Sequence, residues 1–158
     1  MRKQSAEAGP ELALYQPDIP QNVGAVIRLC AVFNRPLHII EPCGFVWGHE
    51  KLKRSAMDYL EMATVIRHNS WEKFYTFAQE NSQNLCLMTT KSERSIYEHR
   101  FTDNDILLIG RESAGVPDNV HQIADERLTI PQEQGRSLNM AISAAIALSE
   151  AIRQISVF

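Results

Sequence analysis

The chain has 158 residues, a formal net charge of −3 and an ordinary share of apolar residues, enough for one domain with its own core. No apolar run approaches the roughly 18 residues of a membrane span, and three scattered cysteines (Cys30, Cys43, Cys86) supply neither a disulfide framework nor a zinc motif. The acidic balance also excludes a generic polybasic nucleic-acid binder. RNA binding would then need a local basic patch, or two copies pooling theirs. Free thiols and the lack of a signal-peptide core predict a cytoplasmic protein. Met1–Pro10 is polar and predicts a mobile extension, with a single domain over 11–158.

Leu12–Gln16 is a short apolar run closed by Pro17 and predicts the first strand. The proline-bounded loop Pro17–Asn22 leads to a helix from about Asn22 to Phe33, whose apolar residues recur at steps of three and four. Leu37–Ile40 is the second strand. Lys51–Met62 is helical in part, Val65–His68 a short strand, Trp71–Gln79 a helix and Leu85–Thr89 a third clear strand. Ser92–Asn104 is polar and shows no clear period. Ile106–Ile109 is almost wholly apolar, as in a strand buried on both faces. Arg127–Ile130 is the last strand, and a helix runs from about Leu138 to Ile155. Short apolar strands alternating with helices predict an α/β domain with a mostly parallel sheet flanked by helices. Ligands of such sheets bind at the carboxyl ends of the strands, so the loops after Thr89, Ile109 and Ile130 matter most.

Four groups of residues carry chemistry. Gly110–Pro117 puts two glycines and a proline directly after the buried strand, a turn where backbone can approach a ligand. It is neither a dinucleotide fingerprint nor a Walker loop. Arg28, within the first helix, is either a structural ion pair, with Glu112 or Glu150, or a cation facing a phosphate or developing negative oxygen. Lys51, Lys53 and Arg54 form a basic cluster, either a solvated face or a phosphate-contact patch. Phe45 and Trp47 nearby suit base stacking, core or a dimer contact. The stretch Ile130–Met140 ends a strand, turns at Gly135 and starts the last helix with Ser137 as candidate N-cap, gathering Arg136, Ser137 and Asn139 at one helix start. That helix is rich in small residues and apolar on more than one side. It is expected to pack on its own sheet and to line a homodimer interface. The five histidines show no metal-ligand spacing.

Three of these segments together resemble a known family. Leu14–Gly24 with Arg28, Gly110–Pro117 and Ile130–Glu150 are similar, in order and spacing, to the three motifs of the SpoU-type branch of the SPOUT RNA 2′-O-methyltransferases. His38–Phe45, Lys53-Arg54, Asp58-Tyr59 and Thr89-Thr90-Lys91 resemble the subfamily that methylates the wobble ribose of tRNA, and the likeness covers nearly everything from Leu12 onward. The resemblance implies a C-terminal deep trefoil knot, a homodimer, S-adenosylmethionine as cofactor without a metal, and the tRNA anticodon loop as partner, with no membrane. It implies Arg28, Ser137 and Asn139 as catalytic residues, and cofactor contacts at Met88, Gly110, Glu112, Ile130, Ser137 and Leu138. RNA contacts are expected at Asn22, Lys51, Lys53, Arg54 and Arg136. Ser149 stands where close relatives usually carry tyrosine, and Met88 where many have leucine. A ribosomal RNA methyltransferase, a non-catalytic RNA-binding dimer of the same fold and a flavodoxin-like nucleotide module are the competing expectations.

Overall fold

The computed structural model describes residues 8–48, 50–56 and 58–156. In chain order the elements are β1 (Glu11–Tyr15), α1 (Pro20–Phe33), β2 (Leu37–Ile40), α2 (Glu50–Ala56), α3 (Tyr59–Met62), β3 (Val65–His68), α4 (Trp71–Glu80), β4 (Asn84–Met88), β5 (Asp105–Ile109), α5 (Asp118–Ile123), β6 (Glu126–Leu128) and α6 (Met140–Ile155). The strands form one six-stranded sheet in the order β3-β2-β1-β5-β4-β6. Every pairing between them is parallel. Successive strands step outward from β1 on one side, and β5, β4 and β6 fill the other. The direction therefore reverses between β1 and β5, and a crevice opens beyond their carboxyl ends.

Two apolar layers explain the strand sequences. Leu12 and Leu14 of β1 and Leu107 and Ile109 of β5 face α1, α2 and α6. Ala13, Tyr15, Ile106 and Leu108 face Trp71, Phe74 and Val120 on α4 and α5. All five residues of β5 are buried, which is why its sequence shows no alternation. On α6, Ala144, Ala147, Leu148, Ala151 and Ile152 are buried. The helix packs on α1, β1 and β5, as its small residues predict.

Several boundaries differ from expectation. Helix α1 begins at Pro20, not Asn22, because a proline fits the first turn where its missing N–H is not needed. The stretch 51–62 divides into α2 and α3. Residues 92–104 form turns and a single bridge from Ser95 to Thr129. The last strand ends at Leu128. Beyond it the Thr129 N–H donates to the Arg94 carbonyl and its own carbonyl accepts from Ile96 N–H, so the chain leaves β4 for another partner. Residues 1–7 of the expected extension lie outside the described residues. Gly9 and Pro10 are buried, and the Ala8 carbonyl accepts from Arg35 Nη1 at 3.0 Å, so these three belong to the folded body.

Candidate active site

The loops after β1 and β5 are tied together across the crevice. Asp18 pairs with Arg111 and accepts from the Ser113 N–H at 3.1 Å and hydroxyl at 2.7 Å. The Arg111 guanidinium holds the Asp18 carboxyl down at about 2, against a smaller opposing effect of burial and with help from Ser113. Glu112 points the other way. Its Oε2 accepts from Asp18 N–H at 2.7 Å, and its Oε1 from Ile19 N–H at 3.3 Å and Asn22 Nδ2 at 3.1 Å. The turn that aims these residues depends on Gly110, since a Cβ there would lie 2.7 Å from Gly115 backbone. Arg111 and Gly115 exchange two backbone bonds of 3.0 and 2.9 Å.

A second tie reaches the C-terminal segment. Asn139 caps α6: its Oδ1 accepts from Ala141 N–H at 2.9 Å and Ile142 N–H at 3.3 Å. Its Nδ2 then donates to Asn22 Oδ1 at 3.1 Å. The orientation of both amides follows from chemistry. Helix N–H groups only donate, so Asn139 must present its oxygen to them and its nitrogen to Asn22, leaving the Asn22 nitrogen for the Glu112 carboxylate. Glu112, Asn22 and Asn139 thus form one hydrogen-bonded chain across three segments. Of the two N–H groups on each Nδ2, one is used within it.

Ser137 is not the cap. The helix starts at Met140, and Ser137 lies in the exposed loop before it, on the wall of a cavity. Gly135 takes φ +62° in that loop, the left-handed turn for which glycine suits the position.

The cavity has a volume of about 530 Å³ and lies at the carboxyl ends of β4, β5 and β6. Of the expected cofactor contacts, Met88, Gly110, Glu112, Ile130, Ser137 and Leu138 all line it, as do Asn22 and Asn139. The structure adds Thr89 and Lys91, from the Thr89-Thr90-Lys91 stretch, Gln132, from within the third motif, and His121, which carried no motif signal. Asp18 was also missed. Its signal was its place between two prolines in a loop at the sheet's carboxyl edge.

Arg28 and the basic residues lie elsewhere. Arg28 is exposed on α1, with its guanidinium 5.0 Å from the centroid of the Tyr59 ring. The expected ion pair with Glu112 or Glu150 is absent. Glu112 serves the loop and Asn22, while Glu150 pairs with Arg153 at 2.8 Å. Position 28 belongs to the outer face of the helix, one step from the buried Val26 and Ile27. Lys51, Lys53 and Arg54 are exposed on α2, Arg136 is exposed in the loop before α6, and none of the four lines the cavity. Phe45 and Trp47 pack partly on the core, with Arg67 4.7 Å from the Trp47 ring centroid. Ser149 is exposed on α6.

Among the described residues one group has the composition of a cation site: Cys86, His99 and Asp105. Asp105 already accepts from Asn84 Nδ2, Thr102 N–H, Thr102 Oγ1 and His99 Nε2, at 3.0 to 3.3 Å. Burial pushes the Cys86 thiol far above its ordinary range. This group pins the 99–105 turn to β4 and β5.

Comparison with known proteins fits this arrangement. A model of the SpoU rRNA Methylase family matches residues 10–149. The chain belongs to the SpoU methylase family. It is 47% identical over 145 residues to a tRNA (cytidine(34)-2'-O)-methyltransferase of Beijerinckia indica subsp. indica, covering 91% of each chain. It is 37% identical over 147 residues to the protein of the same name from Escherichia coli K12, covering 91% of this chain and 92% of that one. A solved structure concerned with 2-OH methylation of C/U34 on tRNA superposes with a TM-score of 0.88 at 39% identity, over 92% of this chain and 95% of the other. In this SpoU family member the three motif segments meet at the mouth of one cavity. No described helix is long and apolar enough to cross a membrane.

Proposed function

We propose that the chain transfers a methyl group from S-adenosylmethionine to the ribose 2′-oxygen of the wobble nucleotide in a tRNA anticodon loop, acting as a cytoplasmic homodimer. The observation that carries this reading is the Glu112–Asn22–Asn139 chain at the cavity mouth. Three segments distant in sequence are held to hydrogen-bonding tolerance where none is needed for the core. The names of the relatives from Beijerinckia and Escherichia support the wobble nucleotide as target. The deep knot belongs to the same reading. It is supported by the return of the chain from edge strand β6 to α6 on β1 and β5, past the 94–96 segment bonded to Thr129.

The residues present fit the cofactor. The cavity lies within the roughly 300–1,000 Å³ of small-molecule sites. Leu87, Met88, Ile109 and Ile130 offer apolar walls for a nucleoside, and Glu112 offers negative charge near a cation. S-adenosylmethionine supplies an electrophilic methyl group on a cationic sulfur. Asn22 and Asn139 orient the ribose, holding the attacking oxygen about 3–3.5 Å from its target. Glu112 fixes Asn22, and Ser137 and Leu138 close the cavity from the C-terminal side.

Arg28 stays charged in this mechanism. A guanidinium serves poorly as a base, because arginine side chains keep their proton in proteins and removing it carries a large cost. Stabilising the developing alkoxide as a cation avoids that cost, with a substrate phosphate or water receiving the proton. Since Arg28 lies outside the cavity lining, a second copy or the bound RNA must bring it to the reacting oxygen. Lys51, Lys53, Arg54 and Arg136 hold phosphates. Raising salt therefore weakens tRNA binding steeply and leaves S-adenosylmethionine binding nearly unchanged in parallel titrations.

The deciding experiment is methyl transfer from labelled S-adenosylmethionine to unmodified bulk tRNA and, separately, to ribosomal RNA, with nucleoside analysis. Label in a 2′-O-methylated anticodon-loop nucleotide is the expected result. Label only in ribosomal RNA overturns the substrate, and no label in either overturns the reaction.

A further inference from the structure

We infer that Trp47 and Arg67 form a stacking platform for an unpaired base of the substrate RNA, within two nucleotides of the one methylated; this rests on the RNA reading above. The Arg67 guanidinium lies over the Trp47 ring, 4.7 Å from its centroid. Its Nε donates to Glu41 Oε1 at 3.1 Å, and its Nη2 donates to the same oxygen. The plane is thus held on one face by an indole and on one edge by a carboxylate. The Arg67 side chain is still 44% exposed. Bases of single-stranded RNA stack on guanidinium planes of this kind and on aromatic rings.

The platform is built on braced parts. Arg67 belongs to edge strand β3, in register with Ile39 of β2. Glu41 N–H donates to the His68 carbonyl at 2.9 Å, which carries that pairing into the loop after β2. Trp47 packs partly on the core, so core contacts hold the ring that backs the guanidinium. Val46, next to it in the chain, is 77% exposed, the most exposed large apolar side chain among the described residues. The loop therefore keeps apolar surface and a held cation at the exterior.

Its place in the fold selects the ligand. Gly44 N–H donates to the Pro17 carbonyl at 2.9 Å, and a Cβ at Gly44 would lie 2.9 Å from Asp18 Oδ1. The platform loop therefore sits directly on the loop whose Asp18 N–H donates to Glu112. Strand β3 is two strands from β1, about 10 Å, a short reach along a single strand of RNA. Trp47 and Val65 pack against the apolar layer that includes α1 and α2, the helices that carry Arg28 and the Lys51, Lys53 and Arg54 cluster. Glu41 already compensates the Arg67 charge. A phosphate gains little beside such a pair, whereas the face of a neutral base gains a flat, polarising partner.

The test is binding of an anticodon stem-loop RNA, and of versions with one loop nucleotide at a time made abasic, to the full chain and to Arg67→Lys, Arg67→Gln and Trp47→Phe, read by fluorescence anisotropy. In wild type, one abasic position within two nucleotides of the target should weaken binding by about 5–10-fold. Arg67→Lys keeps the charge and loses the plane. It should bind the intact RNA more weakly by a similar factor and lose nothing further at that position, with melting temperature and S-adenosylmethionine affinity as in wild type. Trp47→Phe should keep most of the contribution of the base. Intact-RNA binding by Arg67→Lys equal to wild type overturns the inference, as do equal abasic losses in both proteins. A salt slope lower by about one in Arg67→Gln makes Arg67 a phosphate contact and also overturns it. If wild type binds the stem-loop no better than an unrelated hairpin, the RNA reading itself falls, a result distinct from a lost stacking position.

Discussion

Two polar clusters sit on the same sheet, one toward its β2–β3 edge and one at its centre, beyond the carboxyl ends of β1 and β5. On the β2–β3 side, His38 Nε2 donates to Glu11 at 2.6 Å and its Nδ1 accepts from His68 Nε2 at 2.9 Å. Both rings lie against Phe74 and Phe77, with centroids 5.2 to 5.6 Å apart. This cluster is sealed, and its partners come from neighbouring strands. At the β1–β5 crevice, Asp18, Arg111, Glu112, Asn22 and Asn139 are at least partly exposed and join segments 90 or more residues apart. Buried polar groups close over each other where they serve stability. Where they serve a ligand, they are braced from behind and left open in front.

The largest expected effect comes from Arg28, exposed on α1 and outside both clusters. Arg28→Ala should cut kcat by about 10²–10³-fold, the loss typical of one group that stabilises a developing oxyanion. Its denaturation midpoint should barely move, because the residue is exposed. Arg28→Lys separates the two chemical roles. Activity that follows lysine deprotonation as pH rises would restore the general-base mechanism and remove the electrostatic one.

The sealed side should respond to acid instead. Burial, then the neighbouring His38, lowers His68 from its ordinary value to about 4. The folded state binds this proton less readily than the unfolded chain does. Its stabilising share is complete above the unfolded pKa of about 6.5 and is lost as pH falls through 4, about 3 kcal/mol at most. Urea midpoints at pH 7, 5.5 and 4 measure it. A His68→Phe variant with the same pH slope would show that another group carries the effect.

Asn139→Ala acts on both properties. Loss of the cap should cost about 1 kcal/mol in urea unfolding. The freed Asn22 should lower kcat/KM for RNA by more than that stability loss explains, and Asn139→Asp should recover the cap alone. Asp18→Asn is the smallest effect. The half-exposed pair with Arg111 is worth about 1 kcal/mol or less. Because the Asp18 carboxyl is depressed to about 2, its contribution is present above the unfolded pKa of about 3.9 and disappears as pH falls through 2. An unfolding midpoint at pH 7 equal to wild type, with activity halved, would place Asp18 purely in loop positioning.

Much of this was legible in the chain itself. The continuous apolar run of β5, the 3.6-residue period of α1 and the small residues of α6 each report burial, and burial is written in residue type. Gly110, Glu112, Ile130, Ser137 and Leu138 of the cavity wall were legible as parts of ordered motifs. Misreadings arose where local chemistry has more than one solution. Ser137 and Asn139 are both good caps, and only the geometry that lets Asn139 also reach Asn22 selects it. Arg28 stood among apolar neighbours, and an ion pair with Glu112 or Glu150 was one of its two readings, yet one residue turns a helix by about 100° and sets it outside, away from both carboxylates. Period and composition therefore determined the elements, their order and the loops that carry chemistry. Tertiary structure alone decided which partners those loops found, because a hydrogen bond depends on ångström distances between segments that sequence separation does not encode.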